Sequence, residues 1–296
     1  MTDTAENLRR KLNGASDLQS VVRTMKALAA SSIGQYERSV RALADYYRTL
    51  ELGLGACMRA RAVTAAAVDR PASGSAPAVG AVVFGSDQGL VGQFNEVVAD
   101  YAIAALTARP GKQQVWAVGE RVRARLQNAG VPIVGLFAVP TSIQGIAPLV
   151  GEILVDCEAA LGQGEAGELH LFHNHPASAT VYMPVYQRLL PLDETWRSGL
   201  AERPWPTRLP PEVIGGGTET LRALIREYLF VSLFRASAES LASENASRLS
   251  AMQRADKNID ELLDELNGDF RRVRQNGIDE ELFDVVAGFE SLTGTR

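Results

Sequence analysis

The sequence predicts an α/β fold in which an α/β domain is inserted between two long helices that pair as an antiparallel coiled coil. The first indication is that all 13 prolines of the 296 residues lie between Pro71 and Pro211. Because a proline inside a helix costs about 3 kcal/mol, the proline-free ends are candidates for unbroken helices. The second is the alternation of strand and helix periods between them. We place the N-terminal helix at 1–70, the α/β domain at 78–210 and the C-terminal helix at 212–296.

The N-terminal helix carries an apolar repeat with the spacing of a coiled coil. Apolar or small residues recur at alternating intervals of four and three residues, with one four-residue stutter at Val40. The series comprises Leu18, Val22, Met25, Ala29, Ser32, Tyr36, Val40, Leu43, Tyr47, Leu50 and Leu54. A helix of about 60 residues would be roughly 90 Å long, so it needs a partner along its length.

The C-terminal region shows a similar repeat after a glycine breaker at 215–217. Its series comprises Leu221, Leu224, Tyr228, Leu241, Asn245, Leu249, Met252, Ile259, Leu262, Leu266, Phe270 and Val273. Because a folded domain separates the two helices, the simplest pairing is antiparallel. Two amphipathic helices packed on a globular core are the alternative, since core-facing stripes show the same period over short windows.

The segment between the helices alternates strand and helix patterns. The predicted strands are 79–84, 115–118, 131–137 and 169–174, and the predicted helices are 94–106, 121–128 and 143–161. This order favours a Rossmann-like domain with a mostly parallel sheet covered by helices. The proline-rich segments 71–77 and 204–211 are natural joints to the two long helices.

The composition excludes several classes of function. A net charge of -5 and a charged fraction of 22% argue against a protein that binds nucleic acid through bulk positive charge. No stretch approaches the ~18 apolar residues of a membrane span, and the N-terminus has no apolar signal-peptide core, so we expect a cytoplasmic protein. Cys57 and Cys157 lie far apart without a CxxC motif, which predicts neither a disulfide nor a zinc site.

A glycine-rich turn, Gly85–Gly92, follows the first predicted strand and precedes a helix. Backbone N–H groups at such a position can hold a phosphate. The spacing is GxxxGxxG, however, which matches neither the dinucleotide motif GxGxxG nor the P-loop, and no lysine follows. We therefore favour a structural turn that is presented to a protein partner. Its candidate residues are Gly85, Asp87, Gln88, Gly89 and Gly92.

All three histidines, His170, His173 and His175, lie within six residues. On a strand, His170 would point to the face opposite His173, whereas His173 and His175 would share a face. Two ligands are insufficient for a metal site, and this segment offers no third, so we expect no metal. Motifs such as Ser-His-Asp, GxSxG and HExxH are also missing, so we expect no catalytic residue and no cofactor.

Near the C-terminus, the run Asp269–Gln275 has four charged residues among its seven. Such a run is either a solvated helix face or a surface that contacts the carboxylates of a partner.

Four motifs resemble, in the right order, those of the gamma subunit of F-type ATP synthases. Val22–Ser31 resembles the family's stretch TxAMxxVAAS, and Gly85–Asn95 resembles its turn SSDRGLCGGLN. Ala242–Met252 resembles the motif ASExxARMxAM, and Arg274–Leu282 resembles the terminal RQxxITxEL. The four motifs together extend over nearly the whole chain, and no single one would have sufficed.

The resemblance implies a noncatalytic rotor shaft that couples ion flow to ATP synthesis or hydrolysis by rotation. In the family, two antiparallel helices turn inside a hexamer of catalytic and noncatalytic subunits, and the α/β domain lies near the membrane ring. The implied partners are the hexamer, the epsilon subunit and the c-ring, with one copy per complex at the cytoplasmic face of the cell membrane. By resemblance, Met25, Arg274, Gln275 and Asp279 contact the hexamer.

The chain departs from the family pattern at several positions. Asp279 stands where the family usually has Thr, and the turn has Gln88 for Arg and Val91 for Cys. Ile33–Tyr36 replaces a basic run, which points to a divergent branch, an alternative or sodium-linked F-type ATPase. Two functions of other classes stay open at this stage: an α/β nucleotide-binding enzyme that uses the 85–92 turn, and a cytoplasmic coiled-coil scaffold.

Overall fold

The computed structural model describes residues 4–62, 78–162, 167–177, 181–209, 211–212 and 217–293. The helices are α1 (Ala5–Ala62), α2 (Phe94–Thr107), α3 (Glu120–Asn128), α4 (Ile146–Gly162), α5 (Glu194–Glu202) and α6 (Gly217–Thr293), with a 3-10 turn at Ile143–Gly145. The strands are β1 (Val79–Phe84), β2 (Gln113–Val118), β3 (Ile133–Phe137), β4 (Glu168–Pro176) and β5 (Tyr182–Leu190). None of these helices combines the length and apolarity that crossing a membrane requires.

The strands form one five-stranded sheet in the order β3-β2-β1-β4-β5. The first four strands of this order run parallel, and β5 lies antiparallel to β4 at the edge. Parallel neighbours need a crossover connection, and α2, α3 and α4 occupy these connections in the chain. The predicted α/β fold with a mostly parallel sheet is confirmed.

Two elements were not predicted from the sequence. The strand β5 contains Pro184, which argues against a central strand but is tolerated at the edge of a sheet, where β5 lies. The helix α5 begins after Asp193, whose side chain accepts a hydrogen bond from the backbone N–H of Trp196 at 3.1 Å. That carboxylate is a normal N-cap signal that could have been recognised. The proline-rich joint at 71–77 lies outside the described residues.

Contacts divide the chain into two compact units. The sheet unit comprises the described residues of Ala30–Arg248, and the end unit comprises those up to Ala29 together with those from Leu249 onward. Both long helices therefore contribute to both units. The three-part division predicted from the sequence, at 1–70, 78–210 and 212–296, stays a prediction.

In the sheet unit, α2 and α3 cover one face of the sheet. Alternate strand residues point to this face, as the strand period of two requires. The buried residues of this layer are Val79, Ala81, Val83, Val98, Ala99, Ala102, Leu106, Val115, Ala117, Val122, Leu126, Val131 and Phe172.

The opposite face of the sheet packs against α4 and against the inner parts of α1 and α6. Its strand residues include Val82, Phe84, Trp116, Val118, Leu169 and Leu171, which meet Ile146, Val150, Ile153 and Leu154 of α4. The long helices contribute Tyr36, Leu50, Leu54, Tyr228, Leu229, Val231, Leu233, Ala236, Ala238, Leu241 and Ala242. The inner parts of both long helices thus belong to the core of the sheet unit.

In the end unit, α1 and α6 pair in antiparallel register. Leu8 and Ala15 share one cluster with Leu266, and Val22 shares another with Met252 and Ile259, so early residues of one helix lie near late residues of the other. The antiparallel pairing predicted from the sequence is confirmed. Val22, Met252, Ile259 and Leu266 are positions that the predicted repeat identified, whereas Leu8 precedes its first residue.

The contact seam differs from the predicted one by a single residue at two places. Leu18 and Leu262 were assigned to the seam but are 54% and 44% exposed, while Gln19 is buried and Leu263 is partly buried. At the first place the side-chain amide of Gln19 donates a hydrogen bond to Asp260. A polar pair therefore occupies a position that an apolar pattern cannot identify, and Leu18 is left at the surface.

Leu233→Ala should lower the free energy of unfolding by about 2–5 kcal/mol, because Leu233 is fully buried and its truncation leaves a cavity. Leu28→Ala is the matched control: Leu28 is also on a long helix but is 64% exposed, so its change should stay within about 0.5 kcal/mol. Urea denaturation followed by circular dichroism measures both. Equal losses would contradict the packing of α6 on the sheet.

Candidate functional site

The glycine turn Gly85–Gly92 is held by close packing between β1 and α3. The backbone N–H of Gly85 donates to the carbonyl oxygen of Val118 at 2.8 Å. A Cβ atom on Gly85 would lie 2.3 Å from Cβ of Val122, a distance that no side chain can occupy. The first glycine of the motif is therefore explained by helix packing against the strand, without a ligand.

Ser86 and Asn95 close the turn internally. The side-chain oxygen of Asn95 accepts a hydrogen bond from the backbone N–H of Ser86 at 2.9 Å, and its amide nitrogen donates to the Ser86 hydroxyl at 2.9 Å. That hydroxyl in turn donates to the carbonyl oxygen of Gln88 at 2.9 Å. Both side chains are buried, so these bonds satisfy polar groups that would otherwise be costly.

Asp87 connects the turn to two further segments. One carboxylate oxygen accepts from the backbone N–H of Glu120 at 2.9 Å, and the other accepts from that of Val139 at 2.8 Å. Glu120 is the first residue of α3, so the negative carboxylate satisfies a free N–H group at a helix N-terminus. An anion at this end of α3 would meet the carboxylate of Asp87.

The helix α6 occupies the space beyond the carboxyl ends of β1 and β4, where doubly wound sheets bind nucleotides. The hydroxyl of Ser247 donates to the carbonyl oxygen of Val91 at 2.5 Å, and that of Ser243 donates to the carbonyl oxygen of Asn174 at 3.1 Å. Asn174 itself donates to the carbonyl oxygen of Phe94 at 2.9 Å. The turn therefore docks on a helix of the same chain, which favours its structural role over phosphate binding.

The outer side of the turn is available to a partner. Gln88 is exposed, and Leu90 is 62% exposed and has a φ angle of 63°. Gly92 also has a positive φ, 58°, which a glycine adopts without strain. Of the predicted turn residues, Gly85 and Asp87 serve the fold and Gln88 faces outward. Leu90, an apolar residue in a left-handed conformation, was not among the predicted contact residues of the turn.

In the end unit, Met25 lies at the margin of the helix pair. It is partly buried against the cluster of Val22, Met252 and Ile259. On its outer side, Leu18, Val21 and Leu28 are 54%, 55% and 64% exposed, and with Met25 they follow spacings of three, four and three residues. We call Leu18, Val21, Met25 and Leu28 the α1 stripe.

Polar contacts hold the helix pair beside this stripe. Arg23 donates to Asp256 at 3.1 Å, and Lys26 lies 2.5 Å from the other oxygen of the same carboxylate. The hydrogen bond from Lys26, together with the bond and charge of Arg23, lowers the pKa of Asp256 below its ordinary value. Asp256 therefore stays ionised at neutral pH and links α6 to two basic groups of α1.

The second predicted contact region is near the end of α6, where Arg274, Gln275 and Asp279 are all exposed. Large apolar side chains accompany them: Ile278, Leu282, Phe283 and Val285 are 54%, 60%, 72% and 71% exposed. We call these four residues the α6 stripe. Arg274, Gln275 and Asp279 were predicted to belong to this surface, but its apolar residues were not predicted.

The three histidines divide between the two faces of the sheet. His170 Nε2 lies 2.8 Å from Glu168, and His170 Nδ1 lies 3.0 Å from the hydroxyl of Tyr186. On the other face, His173 Nε2 and His175 Nδ1 lie 2.8 and 2.9 Å from the same oxygen of Glu239. The facing predicted from the strand period agrees with these contacts, but the acidic partner on α6 was missed.

Glu239 is a buried carboxylate with three donors. Burial raises its pKa, but the hydrogen bonds from His173, Arg235 and His175 outweigh burial and lower it from 4.5 to about 2. Arg235 bonds the remaining oxygen, Oε1, through its Nε atom at 2.7 Å. The carboxylate therefore carries its negative charge throughout the physiological range.

Comparison with known proteins identifies the family that shares these features. The sequence model of the family described as ATP synthase matches residues 4–292. The ATP synthase gamma chain of Moorella thermoacetica is 28% identical over 288 residues, which span 97% of this chain and 98% of the relative. That of Desulfitobacterium hafniense is 26% identical, over 98% of this chain and 99% of the relative.

Solved structures share the fold. A chain of the Euglena gracilis mitochondrial ATP synthase, from an assembly of OSCP, F1 and the c-ring, superposes with a TM-score of 0.64 at 14% identity, covering 98% of this chain and 95% of that one. A chain from the central stalk and c-ring of the Tetrahymena thermophila enzyme superposes with a TM-score of 0.56 at 19% identity, covering 79% and 99%.

Asp87→Ala should lower the free energy of unfolding by about 1–3 kcal/mol, because two backbone N–H groups lose their acceptor and α3 loses a favourable negative charge. Gln88→Ala, the exposed neighbour in the same turn, should change stability by less than about 0.5 kcal/mol. Thermal unfolding of both variants beside the parent chain tests this, and a silent Asp87→Ala would show that the carboxylate does not hold the turn.

Proposed function

The chain belongs to the ATP synthase family, and we propose that it is the gamma subunit, the central rotor shaft of an F-type ATP synthase. The observation that carries the proposal is the match to relatives named ATP synthase gamma chain over 97% of this chain. The fold supports it, since two long helices pair in antiparallel register and an α/β domain lies between them in the sequence. The shaft couples ion flow through a membrane ring to ATP synthesis or hydrolysis in the catalytic hexamer.

The subunit is noncatalytic and acts through its partners. These are the catalytic and noncatalytic subunits of the hexamer, the epsilon subunit and the c-ring, with one copy of this chain per complex. It is a peripheral part of the F1 sector, and we place that sector at the cytoplasmic face of the cell membrane. The alternative or sodium-linked branch suggested by Ile33–Tyr36 stays a prediction.

In the proposed mechanism, the contact energy between the shaft and each catalytic site differs with the angle of the shaft. A shaft without threefold symmetry presents a different surface to each of three otherwise equivalent catalytic sites. Each site then favours the open, loose or tight nucleotide-binding state according to the shaft angle, because only a difference in contact energy can shift a conformational equilibrium. Rotation and nucleotide affinity are coupled reciprocally by the same energy.

We assign the contacts with the hexamer to the two stripes of the end unit. The α1 stripe offers an apolar surface that includes Met25. The apolar groups of the α6 stripe lie near Arg274, Gln275 and Asp279 on the same helix. Apolar groups allow a shaft to slide along a wall, whereas charged hydrogen bonds are worth roughly 1.5–3 kcal/mol and are specific in direction. Such a combination suits a surface that must turn and still distinguish three positions.

The two alternatives from other classes have less support. For a nucleotide-binding enzyme, the expected crevice is occupied by Ser243 and Ser247, and Asp87 lies at the N-terminus of α3. For a coiled-coil scaffold, a sheet unit that packs on the inner parts of both helices has no evident role. The rotor accounts for both the helix pair and the sheet unit.

Replacing Arg274 and Gln275 with Ala should lower the ATPase turnover of the assembled complex about tenfold, because loss of a desolvated charged hydrogen bond removes roughly 1.5 kcal/mol or more. The matched control is Arg272→Ala with Asn276→Ala, which likewise removes one arginine and one side-chain amide, but from another side of the helix. Steady-state hydrolysis and gel filtration report turnover and assembly. Equal turnover in the two double variants would show that Arg274 and Gln275 do not belong to the contact surface.

A disulfide between the shaft and the inner wall of the hexamer should stop ATP-driven ion pumping, and reduction should restore it. The buried Cys57 and Cys157 are first replaced with Ala. A cysteine replaces Gln253, which is exposed beside the buried Met252, and in a second complex it replaces Asp279. Pumping is measured in vesicles before and after oxidation.

The two cysteine positions differ in how far local unwinding of α6 could preserve activity in a cross-linked complex. The end of a helix opens at low cost, so a link at position 279 can leave partial activity, whereas one at position 253 lies well inside α6. Oxidised complexes that lack the hexamer cysteine serve as the control. Coupled pumping at full rate with the link at position 253 complete would overturn the rotary function.

A further inference from the structure

In the sheet unit, three ligand-type side chains converge on one point between β4 and α6. The Nε2 atom of His173, the Nδ1 atom of His175 and a carboxylate oxygen of Glu239 all lie within 4.8 Å of one another. The two histidines are spaced by two on the strand and share a face, and Glu239 faces them from the helix. The proposed rotor function makes no use of this cluster of side chains.

The separations are close to those of a metal site. Tetrahedral zinc binds imidazole nitrogen and carboxylate oxygen at about 2.0–2.2 Å, which places ligand atoms about 3.3–3.5 Å apart. Both imidazole nitrogens now lie 2.8–2.9 Å from Oε2 of Glu239. An ion entering between them requires each nitrogen to move away from that oxygen by about half an ångström, within the range of side-chain adjustment. The proton that each nitrogen donates must also pass to the other nitrogen of the ring or, from a protonated ring, to solvent.

The electrostatics favour a cation at this point. The side chain of Glu239, the acidic member of the three, is only 5% exposed, as is that of His173. Arg235 bonds the carboxylate through Oε1, so it fixes the orientation of the group and leaves Oε2 to the histidines. The guanidinium charge opposes a second cation, but the Arg235 side chain is 52% exposed and water screens it.

The donor set selects the class of ion. Two imidazoles and a carboxylate suit zinc and its neighbours among the divalent transition metals, whereas calcium and magnesium prefer oxygen ligands alone. His175 is 40% exposed, so an ion here would be reached from solvent and would keep an open fourth position for water or a partner's side chain.

We propose that His173, His175 and Glu239 form a binding site for a divalent transition-metal ion of the zinc class, which ties strand β4 to α6. The ion would connect strand β4 to the helix that extends into the end unit. Its expected consequence is a stiffer attachment of that helix, visible as higher thermal stability of the metal-loaded chain.

The test uses the purified, untagged full chain after removal of metal with a chelator. Titration with Zn²⁺ against a chromophoric competitor should give one equivalent per chain, and saturation should raise the melting temperature. His175→Ala and Glu239→Gln should each weaken binding about tenfold or more, since even a lost outer-shell partner costs about 10–100-fold. His170→Gln, on the opposite face of the sheet, is the matched control and should bind Zn²⁺ as the parent chain does.

Two outcomes would overturn the site. One is a parent chain that takes up no stoichiometric Zn²⁺. The other is His175→Ala, folded by circular dichroism, that binds as tightly as the parent. Co²⁺ gives a measurement that needs no variant: the parent chain should show the visible absorption of a tetrahedral ion with nitrogen and oxygen ligands. An octahedral spectrum would contradict the proposal even if the substitutions prevented folding.

Discussion

The structure depends on one physical constraint: a helix of 77 residues must be supported along its length by different partners. Within the sheet unit, α6 is buried on nearly all sides between Ala236 and Asn245. Small residues dominate this stretch, and they let the sheet, the glycine turn and α1 approach the helix backbone closely. Beyond Arg248, the same helix belongs to the end unit and pairs with α1 through a narrow seam.

The hydroxyl groups of this stretch connect two motifs that are distant in the sequence, the serine-rich segment of α6 and the glycine turn. Ser243 bonds the end of β4 and Ser247 bonds the glycine turn, so the serine-rich segment of α6 and the turn after β1 are two sides of one contact. Each serine donates a hydrogen bond to a carbonyl oxygen near the carboxyl ends of β1 and β4, where a ligand would bind in a nucleotide enzyme. The space that a cofactor would fill is used to attach a helix.

The sequence predicted most of this architecture because its strongest signals are local. Proline placement gave both long helices, and the periods of strand and helix gave β1 to β4 and α2 to α4 within a few residues. The errors have long-range causes: Pro184 concealed an edge strand, and Gln19 replaced Leu18 in the seam because of Asp260. Likewise Glu239 lies 64 residues beyond His175, and no spacing rule connects them.

The end of α6 combines low intrinsic helix stability with exposed apolar side chains. Gly268 and Gly277 each cost about 1 kcal/mol relative to Ala, and a Cβ atom at either position would meet nothing within 4 Å, so packing within the described chain does not require them. Large apolar side chains, led by Phe283, face solvent on the same segment. In the rotor that we propose, contact with the inner wall of the hexamer would supply the order that this part of the helix lacks by itself. Because the order of this segment depends on its contacts, a change in those contacts alters the conformation of the end of α6.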